Sequence, residues 1–152
     1  MADTKADKIL DNLVTTLEGI TVANGYDQDI GAVSLKYTGL KNVPATDHPA
    51  IFILNMGEDL TPETNEEYMS DFNIWLACSF MPSTVDGDYI TEYNRLVGDI
   101  KKILLVDIKR GNATFVDSTI LKDVTPISDW SNSPIHFMVR FVVKYHYPKE
   151  SP

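Results

Sequence analysis

The chain has 152 residues, 43% hydrophobic and 23% charged, which fits one globular domain large enough to build a core without staples. Thirteen basic against 22 acidic residues leave a formal charge of −9. That balance argues against a surface that grips nucleic acid through clustered Lys and Arg, and its first reading is solubility. Cys78 is the one cysteine, so no intrachain disulfide and no cysteine-based metal site can form.

Met1 to Lys8 carries charges of both signs and no apolar signal core, and no run of about 18 apolar residues occurs. These features predict a protein that stays in the cytoplasm where it is made. In chain order, Thr4 to Ile20 is expected to be a helix, with Ile9, Leu10, Leu13, Leu17 and Ile20 in one apolar stripe. Asp3 or Thr4 is its cap, and Asn24-Gly25 turns the chain after it. Ile30 to Tyr37 alternates as a half-buried strand. Ala50 to Leu54 is an apolar run typical of a strand covered on both faces, and Asn55 to Pro62 then leaves the sheet as a polar loop.

Glu67 to Phe80 is a long strand. Phe72, Ile74, Leu76, Cys78 and Phe80 share one face, with Asp71, Asn73, Trp75, Ala77 and Ser79 on the other. Met81 to Asp88 breaks the ladder, because proline lacks an amide donor and Asp-Gly favours a turn. Tyr89 to Leu105 is a second helix, capped by Asp88. Its buried stripe holds Tyr93, Leu96, Val97, Ile100, Ile103 and Leu104, while Glu92, Arg95, Asp99, Lys101 and Lys102 face outward. Ala113 to Asp117 and Ile120 to Ile127 are strand candidates, Ile135 to Tyr147 is a clear strand, and residues 1–3 and 148–152 are expected to fray. The order α-β-β-β-α-β-β predicts a single α+β domain, a mainly antiparallel sheet with both helices packed on one face.

The residues do not assemble into a catalytic or metal motif. The eight glycines fit no phosphate-binding spacing. His136 and His146 share a strand face but lie about 33 Å apart when extended, and His48 precedes a proline in a loop. Cys78 and Ser79 sit mid-strand with no histidine near in sequence, so Cys78 reads as a buried structural thiol. The carboxylates of 57–67 and 86–88 lack the alternating form of a calcium loop. No enzyme, cofactor or metal is therefore expected.

Strands of about 13 residues exceed the usual five or six, which points to a sheet that projects beyond its own core and is covered by neighbours. The candidate subunit interface consists of Trp75 with the loop carboxylates Glu58, Asp59, Glu63, Glu66, Asp86 and Asp88. Trp75 either packs in the core or anchors a partner, and Trp130 is the second large aromatic of note.

Several phrases resemble the tail terminator (tail completion, minor tail) proteins of long-tailed bacteriophages. They are Ile9 to Ile20 followed by Asn24-Gly25-Tyr26, Asp47-His48-Pro49-Ala50-Ile51-Phe52-Ile53 running into Gly57-Glu58, Tyr93 to Ile100, and the closing strand Phe137 to Tyr147. The resemblance implies an α+β subunit of a homo-oligomeric ring, usually a hexamer, in the virion at the head-proximal end of the tail. Its partners would be the tail tube protein and the head connector protein, with DNA passing through an acidic lumen and no membrane involved. The alternatives in the same class are a head-closure, connector or tail tube subunit. A small-ligand-binding α+β module, with a pocket between helices and sheet, is the alternative of another class.

Overall fold

The computed structural model describes residues 4–64, 66–82, 89–127 and 134–148. Within them the elements run α1 (Lys5–Glu18), β1 (Ala32–Ser34), β2 (Ala50–Pro62), β3 (Glu67–Phe80), α2 (Tyr89–Val106), β4 (Val116–Pro126) and β5 (Ile135–Pro148). This is the expected α+β order. The strands form one sheet, β1-β2-β3-β5-β4, in which β1 runs parallel to β2 and every other pair is antiparallel.

Thr4 caps α1 reciprocally: its hydroxyl accepts from the Asp7 amide, and the Asp7 carboxylate accepts from the Thr4 amide, each at 3.1 Å. The α1 stripe buries Ile9, Leu13 and Leu17, and Ile20 follows them into the core just past the helix end. From α2 come Tyr93, Leu96, Val97, Ile100, Ile103 and Leu104. Both helices press these residues onto the same sheet face, against Phe72, Ile74, Leu76 and Cys78 of β3 and Phe137, Val139, Phe141 and Val143 of β5. Each large apolar side chain so buried contributes about 1.5–3 kcal/mol, which makes this layer the main source of stability.

Four details differ from the sequence reading. Asp99 does not face outward: it is 5% exposed and accepts a 3.0 Å hydrogen bond from the Asp27 amide, which ties the loop after α1 to α2. Burial raises its carboxyl above the ordinary carboxylate value. The strand expected over 30–37 pairs only at Ala32–Ser34. The polar stretch 55–62 is no loop; β2 continues through a bulge between Asn55 and Glu58 and pairs with β3 as far as Pro62 opposite Tyr68. Gly57 takes φ of 93° in that bulge, a left-handed conformation that glycine adopts without Cβ strain. Finally, the two segments at 113–127 form one strand, β4, with irregularities at 116/118 and 121/123. Asp88, expected as the cap of α2, lies outside the described residues, as do residues 1–3 and 149–152; Pro148, placed in the tail, ends β5.

The opposite sheet face is half covered. Leu40 and Val43 of the segment after β1 pack on Phe52, Leu54, Ala77 and Met138, and Tyr37 meets the Phe52 ring edge-on at 5.3 Å. This cover explains why the start of β2 is apolar on both faces. Gly31 lets the segment close, since a Cβ there would sit 2.4 Å from the Asp47 carbonyl oxygen. Among the described residues nothing covers the other half of the face or β2 from Asn55 to Pro62.

Stability should follow this division. Phe72→Ala, at the centre of the helix-covered face, is expected to cost about 3–5 kcal/mol in urea unfolding. Leu60→Ser, on the projecting hairpin, should change it by no more than about 0.5 kcal/mol. Equal losses would mean that the hairpin belongs to the core.

Candidate functional site

The uncovered surface is built by the projecting hairpin of β2 and β3 and by the bare half of the sheet beside it. The β3–β5 register sets Trp75 opposite Arg140, Asn73 opposite Val142 and Asp71 opposite Lys144. Trp75 is half-buried, with the Arg140 guanidinium 5.4 Å from its ring centroid. A hydrogen bond from Nε to the Asp123 carboxylate of β4 at 2.7 Å, with a salt bridge from Nη2 at 2.6 Å, fixes the guanidinium over the indole. The hydrogen bond from Arg140 holds the Asp123 carboxyl below its ordinary value. A shallow recess of about 300 Å³ opens here among Asn73, Trp75, Lys122 and Arg140.

Further polar pairs cross the same face: Lys144 meets Asp71 at 3.1 Å, and His146 Nδ1 lies 3.3 Å from the Asp117 carboxylate. These partly exposed pairs set side-chain positions more than they stabilise the fold. The surface is thus a preorganised polar lattice around one aromatic anchor.

The interface candidates from sequence separate on this framework. Trp75 belongs to the lattice, and Asp59 joins it by accepting from Asn73 Nδ2 at 3.1 Å. Glu58 points the other way. Its carboxylate accepts from the buried Ser70 hydroxyl at 2.7 Å and from the Tyr145 hydroxyl, so it clamps the root of the hairpin rather than standing free in a loop. Burial, reinforced by that carboxylate, pushes the Tyr145 phenol well above its ordinary value. Glu63 and Glu66 flank the hairpin turn, where the Thr64 hydroxyl accepts from the amides of Glu66 and Glu67 at 3.1 and 3.0 Å. Asp86, Asp88 and Trp130 lie outside the described residues.

A second place was invisible in sequence. His48 Nε2 lies 3.0 Å from the Ser79 hydroxyl, 31 residues on, and Ser79 is fully buried opposite His136 of β5. Only the fold brings these three together, because Ser79 had no histidine near it in the chain. Burial lowers the His136 imidazole below its ordinary value, and His48 and Lys41 push it in the same direction. Next to His48 opens a half-enclosed cavity of about 360 Å³, lined also by Asp27, Gln28, Phe80, Glu92 and Arg95. With no accessible surface on Ser79, the pair cannot present that hydroxyl to a substrate in this conformation. Cys78 is equally buried, and desolvation pushes its thiol far above the ordinary range, which leaves it unreactive.

Among the described residues no group of three or more His, Cys, Asp or Glu side chains is placed to hold a metal ion, and no helix is long and apolar enough to cross a membrane. In comparisons with known proteins, no family model and no curated protein matches the chain.

His136 gives stability a pH dependence with a definite sign. His136 has a lowered folded value, so the unfolded chain binds more protons near pH 6.5 and below. Its contribution is present above about pH 6.5 and is lost as the pH falls through the lowered folded value. The wild-type urea midpoint should therefore fall relative to that of His136→Gln between pH 7.5 and pH 5; parallel curves would show that His136 carries none of the dependence.

Proposed function

We propose that this chain is a non-catalytic structural subunit of a ring at the head-proximal end of a phage tail, which ends the tail tube and meets the head connector. One observation carries the reading: β2 runs on past the core that shelters its first half. Residues 55–64 of β2 and the turn are exposed throughout, and the far face of β3 and β5 shows a fixed Trp–Arg–Asp arrangement to solvent. Tryptophan and arginine are the residue types on which interfaces concentrate their energy, above all when they are already held in place. The resemblance in the α1 stripe, the 47–58 segment, α2 and β5 points the same way. Acidity suits a lumen through which DNA passes without being held.

A second reading rests on the cavity beside His48. Its mixture of Gln28, His48, Glu92 and Arg95 against Phe80 would suit a small polar ligand, and the chain would then be a ligand-binding module. The two readings differ in what the free protein does.

Native mass spectrometry and negative-stain electron microscopy of the purified protein should show closed rings of one subunit number, formed without nucleotide or metal and growing in population with concentration. Monomers at every concentration, binding a small polar molecule at the His48 cavity, would replace the ring reading with the second one.

A further inference from the structure

Charge is divided unevenly along the chain. No lysine or arginine occurs between Lys41 and Arg95, a stretch that holds ten carboxylates. Residues 95–149 carry nine of the thirteen cations and only five carboxylates. The fold turns this division into two surfaces. The acidic stretch includes the projecting hairpin, where Leu60 is 53% and Met56 42% exposed beside Glu63 and Glu66. The basic stretch includes the C-terminal end of α2. There Leu105 and Val106, 49% and 73% exposed, each follow an exposed lysine, Lys101 and Lys102, by four residues and so share its helix face.

These surfaces stand on opposite flanks at the same level of the sheet. The Thr119 hydroxyl donates to the Ile108 carbonyl at 2.8 Å, which pins the end of α2 beside β4. Thr119 faces Val143, Phe72 faces both Val143 and Glu58, and Glu58 begins the exposed run of β2 beyond the bulge. Strand order places β2 and β4 on either side of the central pair. Each flank therefore shows exposed apolar side chains with one sign of charge in excess, carboxylates on the hairpin and lysines on α2, although the Asp107 carboxylate also lies beside Val106.

The geometry points to a heterologous contact between copies of this chain, in which the β2–β3 hairpin of one, through Leu60, Met56 and the Glu63 and Glu66 carboxylates, seats on Leu105 and Val106 at the lysine-bearing end of α2 of the next. This inference rests on the ring reading and names the surface that would make it. Two different patches on opposite flanks repeat in one direction, and such a contact closes into a ring if the rotation per subunit divides the circle. It also resolves a difficulty of charge, since a protein at −9 repels its own copies unless the charge is segregated.

Leu60→Asp and Val106→Asp test the contact, since both positions are exposed and each variant's fold can be checked by its urea midpoint. Light scattering after size exclusion is expected to show each variant dissociating at a concentration about tenfold or more above wild type, the loss that about 1.4 kcal/mol brings. Raising the salt should weaken wild-type assembly as well. An equimolar mixture of the two variants should form one-to-one pairs that grow no further, because each keeps one intact surface. Oligomers untouched by either substitution would overturn the contact and leave the ring reading standing. Variants that lose assembly and fail to pair when mixed would overturn the heterologous arrangement. A wild type that is monomeric at every concentration would overturn the contact and the ring together.

Discussion

The register between β3 and β5, from Glu67 opposite Pro148 to Phe80 opposite Ile135, decides which side of every other element is buried. Fourteen residues of each strand pair without a bulge, so alternation holds along the whole length. Phe72, Ile74 and Leu76 must then share a face with Phe137, Val139 and Phe141, and both amphipathic helices can bury their stripes only there. A slip of β5 by one residue would put Arg140 and Lys144 into the core and Phe141 into water. The remaining strands take their orientation from this pair.

Length is the second consequence. Beyond the bulge β2 runs on to Pro62 with every residue exposed, while β3 and β5 reach Glu67 and Pro148. The overhang is held by local devices: the Gly57 bulge, the Glu58 carboxylate beneath Ser70 and Tyr145, the stacked Tyr68 and Tyr147 rings 5.8 Å apart, and the Thr64 turn. Tyr145 and Tyr147 are buried in the main core and Tyr68 packs against it, so these contacts tie the exposed hairpin to the core and fix its direction. A rigid projection can meet a partner with less ordering cost than a floppy loop.

The electrostatic arrangement is equally directional. Carboxylates concentrate on the β2 flank and lysines near the end of α2, while the sheet face between them neutralises itself through Arg140–Asp123 and Lys144–Asp71. At the other end of the sheet, His48, Ser79 and His136 lie beside the cavity next to His48 described above. The projecting hairpin and the hollow thus occupy opposite ends of the same strands, so the two proposed readings concern separable parts of the molecule.

Periodicity alone determined the helices, the faces of β3 and β5 and the α+β class, because burial of apolar area repeats at 3.6 residues in a helix and at two in a strand. It also singled out Trp75 and the length of the strands. Stretches whose pairing is not announced by apolar residues were decided by tertiary structure. Polar Asn55–Pro62 became strand because β3 offered it a hydrogen-bonding partner, and Ile30–Tyr37 shortened because the segment behind it folded over the sheet. Asp99 turned inward to meet the Asp27 amide, Glu58 turned towards Tyr145, and His48 reached Ser79. Each of these contacts joins residues far apart in the chain. A local pattern records only which surface a side chain can bury; the partner that satisfies its polar atoms exists once the chain has closed in three dimensions.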